Sequence, residues 1–133
     1  EGFGLTTLEA MMTGAPIIAA KTGGLTRQVV NYKNGQQNGI ALDIDTKTLV
    51  GSQSVPYIYE DYVSTSAAAK AMMKLYKVKK NTNQWKKLKK KVYNYAREEF
   101  SYEKTIDMWH DTMIKTVEEF KNSKSQSWNI QTF

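Results

Sequence analysis

Cysteine is absent from the 133 residues, so the chain can form neither a disulfide framework nor a thiolate metal site. No apolar run approaches the roughly 18 residues that a membrane-spanning helix requires, and the opening residues do not read as a charged-then-apolar signal sequence. The cytoplasm is therefore the expected compartment. Residues 64–121 contain no glycine and no proline, which leaves nothing in that half to break long helices. Histidine occurs once, and no internal repeat is visible. What is present is ordinary for a folded domain: 41% of residues are hydrophobic, too many for a disordered chain, and the length suits a single core. The formal net charge of +6 fits either an anionic partner or a solvated helix face.

Two textures divide the chain. Residues 1–45 hold all but one of the eight glycines and read as α/β. Leu5, Leu8, Met12 and Ala15 recur at near-helical spacing, and Gly14 and Pro16 stop that helix after Thr13. The run Ile17–Ala20 predicts a buried strand, Leu25–Val30 a short helix, and Ile40–Leu42 a second strand, after the turn dipeptides Asn34-Gly35 and Asn38-Gly39. Helix, strand, helix, strand is the rhythm of a parallel sheet. The tyrosine-rich stretch 46–63 reads as an ordered loop. Residues 64–121 then predict three helices, each with one apolar stripe. The first is capped within Ser64-Thr65-Ser66 and carries Ala69, Met72, Met73 and Tyr76. The second is capped by Asn83 and carries Trp85, Leu88, Val92 and Ala96. The third follows Ser101 and carries Ile106, Trp109, Met113, Val117 and Phe120. Residues 122–133 form a tail.

The opening stretch EGFGLTTLEAMMTGAPIIAAKTGG concentrates the candidate chemistry. Gly2-Phe3-Gly4 has the backbone freedom for a tight loop that leads into a helix starting near Thr6. A helix start offers unpaired N–H groups and positive dipole character, a natural seat for a phosphate. Glu9 in the first turn could accept hydrogen bonds from two neighbouring hydroxyls, as on a ribose, with Glu1 facing whatever the phosphate carries. Thr6-Thr7-Leu8-Glu9 is equally a capping box, in which Thr6 and Glu9 satisfy backbone donors at a helix start and bind nothing.

Other candidates carry less. Asp43-Ile44-Asp45 imitates a D-x-D metal motif but follows a predicted strand without a second ligand cluster, so no metal site is expected. His110 stands beside Trp109 with no serine or cysteine partner near it in sequence. The run Lys86–Lys91 admits an alternative function, a basic helical module that binds nucleic acid or an anionic membrane surface. Around the Trp85, Leu88, Val92 stripe, however, it also has the pattern of an ordinary surface helix, and no zinc spacing or aromatic sheet motif accompanies it.

The opening stretch resembles the E-x7-E segment of retaining nucleotide-sugar glycosyltransferases of the GT-B type, grouped as family 4. NGIALDI resembles that family's turn and last short strand, and REEFSYEKTIDMWHDTM its closing segment. The resemblance implies an α/β fold: the C-terminal part of a Rossmann-like GT-B donor-binding domain with a helical tail, preceded in the whole enzyme by an acceptor domain that these residues lack. It implies a metal-independent, hexosyltransferase-like enzyme that uses a nucleoside-diphosphate sugar as substrate and needs no further cofactor. Its acceptor would be a sugar, a lipid-linked group or a protein, peripheral membrane contact is compatible, and the 133 residues alone would be inactive. Carried over by position, Glu1 lies by the donor sugar as the catalytic candidate. Gly2, Phe3, Gly4, Leu5 and Thr6 hold the diphosphate, and Glu9 binds the ribose. The chain departs from the family at Thr26-Arg27-Gln28, where Pro-Glu often follows Gly-Gly-Leu, and in the long stretch from Val55 to Tyr62.

Overall fold

The computed structural model describes residues 2–123, which fall into two units divided after Glu99. In the first, the chain runs α1 (Leu5–Met12), β1 (Ile17–Ala20), α2 (Leu25–Val29), β2 (Gly39–Leu42), β3 (Thr46–Ser52), β4 (Val55–Tyr62), α3 (Thr65–Lys80) and α4 (Thr82–Glu99). The second contains α5 (Tyr102–Asn122). The architecture is mixed α/β. Strands β1 and β2 pair in parallel from Ile17 opposite Gly39 to Ala20 opposite Leu42, as the helix–strand–helix–strand rhythm predicts.

Burial explains why these short elements hold. Ile17 and Ala19 are buried on one face of β1 while Ile18 and Ala20 are half-buried on the other, as expected for a parallel strand with neighbours on both sides. α2 and α3 pack on this sheet, and α4 packs on α1 and α3. The core joins Met11 of α1, Val29 of α2, Leu42 of β2, Ala71 of α3, and Val92, Tyr95 and Ala96 of α4. Met11 and Val92 are completely covered. Each such side chain contributes about 1.5–3 kcal/mol by leaving water. On α4 the expected stripe is the inward one: Trp85 and Leu88 are half-buried, Val92 and Ala96 buried, and Lys86, Lys87, Lys89 and Lys90 exposed. The lysine run, apart from the half-buried Lys91 that donates to Gln37 O, is thus the wet side of a packed helix.

Helix ends follow local chemistry. Ser64 and Ser101 cap α3 and α5, their hydroxyl oxygens accepting from the backbone N–H of Ala67 and Lys104. α4 begins two residues earlier than its expected cap allows, and Asn81, not Asn83, accepts from the N–H of Gln84 at 3.1 Å.

Two expectations are corrected. The stretch 46–63 is not a loop but an antiparallel hairpin of β3 and β4, with Leu49 opposite Tyr59 and Val50 opposite Ile58. Pro56 falls where the register shifts opposite Gly51, the place in a ladder where a residue without N–H is tolerated. Second, the stripe Ala69, Met72, Met73 and Tyr76 does not face the core: α3 turns Ala71 inward, with Ala67, Leu75 and Val78 half-buried, and leaves all four expected residues exposed. The expected third helix is α5, with its Ile106, Trp109, Met113, Val117 and Phe120 stripe exposed along with the rest of the helix from Thr105 onward. Of the expected tail 122–133, Asn122 is the last residue of α5 and Ser123 its C-cap, and the remainder lies outside the described residues.

Candidate functional site

The candidate site is built where the opening loop enters α1. Leu5 is already helical, so the N-cap is Gly4, in the left-handed region at φ 86°. A side chain is excluded there twice over, by that φ and because a Cβ would lie 2.5 Å from Cδ2 of Leu25. The first helical hydrogen bond runs from Leu8 N–H to Gly4 O at 3.1 Å, and Gly4, without a side chain, supplies no side-chain cap of its own. Leu5 and Thr6 are exposed at this start, with the positive end of the helix dipole beside them.

The loop is fixed from behind by α2 and the turn before it. Gly24 N–H donates to Gly2 O at 3.1 Å, and the approach is so close that a Cβ on Gly24 would meet Gly2 O at 2.5 Å and Phe3 Cα at 2.6 Å. Gln28 is fully buried, and its Nε2 donates to Phe3 O at 2.6 Å and to Gly4 O at 3.1 Å. Its Oε1 has no hydrogen-bond partner among the described residues, a desolvation cost of about 1–3 kcal/mol set against those two bonds. Gln28 is held in turn. Asn38, 1% exposed, donates from Nδ2 to Gln28 O at 2.8 Å, its N–H donates to Val29 O, and its own carbonyl accepts from Ile17 N–H. A chain of buried hydrogen bonds therefore runs from the end of α2 to the start of β1 and to the opening loop.

A second cluster anchors α2 to the end of α4. The carboxylate of Glu99, 1% exposed, pairs with the Arg27 guanidinium and with Lys33 Nζ at 3.2 Å. The hydrogen bond to Glu99 raises the pKa of both cations above their ordinary values. Tyr95 donates its hydroxyl to Arg27 O at 2.7 Å, and burial, reinforced by the Glu99 charge, pushes its phenol up to about 12. Arg27 also lies over the Tyr32 ring, 4.4 Å from its centroid. The departure Thr26-Arg27-Gln28 is thus a pair of tethers: Arg27 to α4 and Gln28 to the loop.

At the carboxyl end of β1, Thr22 donates its hydroxyl to Asp61 at 2.5 Å, tying the base of the hairpin to the turn before α2. That hydrogen bond, helped by Lys47, holds the Asp61 carboxyl below its ordinary range. Lys21 pairs with Asp43. The D-x-D candidate therefore has its first carboxylate engaged by a lysine, and among the described residues no three His, Cys, Asp or Glu side chains converge.

The sequence-derived candidates land as follows. Gly2, Phe3, Gly4, Leu5 and Thr6 come together as one loop and helix start. Glu9 is exposed in the second turn of α1, not the first, and its carboxylate makes no hydrogen bond or ion pair with any described residue. Thr6 sits inside the helix, so the Thr6–Glu9 capping box does not form. Glu1 lies outside the described residues. His110 is exposed on α5. Nothing in the sequence announces Gln28 or Asn38 as the supports of the loop, since a glutamine in a short amphipathic helix and an asparagine before glycine both read as surface residues.

Residues 1–43 match the family model of glycosyl transferases group 1, a span that ends just past β2 and takes in the loop, α1, β1 and α2. Sucrose synthase of Melioribacter roseus is 31% identical over 97 residues, which cover 73% of this chain and 12% of that enzyme's length. No solved structure matches the chain. Both matches point to a segment of glycosyltransferase type.

Proposed function

We propose that the chain is the C-terminal part of a Rossmann-like GT-B donor-binding domain of the family 4, E-x7-E type, which binds a nucleoside-diphosphate sugar and transfers the sugar with retention to an acceptor. The observation that carries this reading is the state of Glu9. Its carboxylate is exposed in the second turn of α1 and caps nothing among the described residues, so the capping account of the motif has lost its basis. About 6 Å of helix rise separates Glu9 from Leu5. In this reading the loop amides from Gly2 to Thr6 hold the diphosphate, Glu9 accepts from the ribose hydroxyls, and Glu1 orients the sugar.

Chemically, the reaction needs stabilisation of the leaving diphosphate and of positive charge on the departing sugar. Backbone N–H groups at a rigid helix start supply the first without reorganisation, because Gly24 and Gln28 fix the loop before any ligand arrives. A carboxylate at position 1 supplies the second. The mechanism assigns no step to a metal or cofactor, and the compartment is the cytoplasm. The direct test is calorimetric titration of the full-length protein with nucleoside diphosphates, followed by an assay for sugar release from matching donors. Absence of binding to every nucleoside diphosphate would falsify the proposal.

A further inference from the structure

Residues 65–97 hold eleven of the nineteen basic residues of the chain and none of its thirteen acidic ones. This segment, α3 and most of α4, therefore carries more than the whole net charge. On α4 the lysines border an apolar stripe that is packed inward, and nothing further is required of them. On α3 the arrangement differs. Its inward face is already supplied by Ala67, Ala71, Leu75 and Val78, yet a second apolar stripe, Ala69, Met72, Met73 and Tyr76, recurs at i, i+3, i+4 and i+7 on the outer side. Met72, Met73 and Tyr76 are more than half exposed. Lys70, Lys74 and Lys77 run alongside as a parallel row, and with Ser66, Ala69 and Met73 they line a shallow groove formed by α3 alone. One turn on, in line with the stripe, Lys80 approaches the Tyr76 ring, 4.9 Å from its centroid.

We propose that this outer face of α3 docks on an anionic lipid surface, with Met72, Met73 and Tyr76 entering the headgroup boundary and Lys70, Lys74 and Lys77 on lipid phosphates. The charge selects an anionic partner, since no acidic side chain interrupts the row. The shape selects a flat one. A peptide or helix is gripped by a groove with two walls, whereas here every lining residue comes from one convex helix. The methionines then distinguish lipid from nucleic acid, because a phosphate backbone would leave them in water while the bilayer interface buries them. This inference stands apart from the donor site, which uses none of these residues.

The experiment is flotation of the full-length protein with vesicles of phosphatidylcholine alone and with about one-third phosphatidylglycerol, alongside binding to a single-stranded RNA. Binding to the anionic vesicles should exceed binding to the neutral ones at least tenfold. Replacing Lys70, Lys74 and Lys77 by Gln should lower it on the order of a hundredfold, at about fivefold per lysine. The pair Met72→Ser and Met73→Ser should also lower vesicle binding severalfold while leaving RNA binding, melting temperature and nucleoside-diphosphate titration unchanged. Equal binding to both vesicle types, tighter binding to RNA than to anionic vesicles, or vesicle binding indifferent to the methionine substitutions would each overturn the proposal.

Discussion

The side-chain amide of Gln28 stands 2.6 Å from the carbonyl oxygen of Phe3, across 25 residues of chain. That bond and its companion to Gly4 O turn two loop carbonyls inward. Replacing Gln28 by Leu keeps the bulk and removes the side-chain amide donor from both carbonyls, Gly4 O still accepting from Leu8 N–H, at a cost of about 1–3 kcal/mol. Replacing it by Glu sets a carboxylate against two carbonyl oxygens and should be worse near neutral pH, recovering as acid restores a donating O–H. Thermal melts of both variants across pH, with a nucleoside-diphosphate titration beside them, check this. A Gln28→Glu melt that does not depend on pH more than the parent's would rule the clamp out.

Gly24 is expected to tolerate no side chain. In Gly24→Ala the new Cβ would stand 2.5 Å from Gly2 O and 2.6 Å from Phe3 Cα, both backbone atoms that cannot swing away. The loop has to shift, with an overpacking cost of about 1–3 kcal/mol. Donor binding should fall by more than the loss in stability alone accounts for. Gly24 itself lies at φ −62°, which any residue adopts, so its cost is contact alone; Gly35→Ala, where a Cβ meets nothing within 4 Å but φ is 70°, reports backbone strain alone.

Glu9 makes no cap, so Glu9→Ala and Glu9→Gln should both melt at the parent's temperature. If the carboxylate binds ribose hydroxyls, either change weakens donor binding by about 1–3 kcal/mol, roughly a tenfold or greater rise in donor KM where KM follows binding. Unchanged donor kinetics in both variants would withdraw the ribose role and leave Glu9 without an assignment.

The Tyr95 phenol predicts a loss of stability in alkali. Its pKa is about 12 in the folded state against an ordinary 10, so the folded chain keeps a proton that the unfolded chain surrenders. The contribution is complete below pH 10 and lost as pH rises toward 12. Tyr95→Phe gives up the hydrogen bond to Arg27 O and starts less stable, yet its melting temperature should fall less steeply over that interval. Parallel slopes in the two proteins would place the alkaline loss elsewhere.

Glu99→Gln removes the charge that holds Arg27 and Lys33. Both cations retain about half of their surface in water, so they are not stranded, and the loss should be that of charge-assisted hydrogen bonds, about 1.5–3 kcal/mol. Chemical denaturation of Glu99→Gln beside Arg27→Gln and the double variant measures it. A double variant no worse than either single one identifies the pair as the shared cause.

The parts of this fold legible in the sequence are those set by local chemistry. The Ile17–Ala20 run could only be a buried strand, and Ser64 and Ser101 announce helix starts through a side-chain oxygen that reaches a nearby N–H. Misplaced elements depend on what lies across the fold. The hairpin escaped because its turn, Gln53-Ser54, has neither the glycine nor the asparagine that marks tight hairpins, and because Pro56 argues against a strand unless the bulge opposite Gly51 is foreseen. α3 carries two apolar stripes, and periodicity cannot tell which one meets the core; only the packing against β2 and α4 decides for Ala71. At the candidate site the motif itself was readable, whereas its supports Gln28 and Asn38 lie 24 and 34 positions from Gly4 and act through backbone carbonyls, which leave no mark on residue type.

The hairpin of β3 and β4 begins and ends at one point: the N–H of Asp45 meets the carbonyl of Tyr62 at 2.8 Å, and beyond that contact every side chain but Asp61 is exposed. A segment whose two ends already touch is a modular insertion. Its tip can be shortened, lengthened or exchanged for a label without asking the parallel strands to move, which makes it the natural place to graft a fluorophore or affinity handle. Such a reporter would sit seven strand residues from Asp61, and so would leave undisturbed the hydrogen bond by which the base of the hairpin holds Thr22 and the turn that carries Gly24.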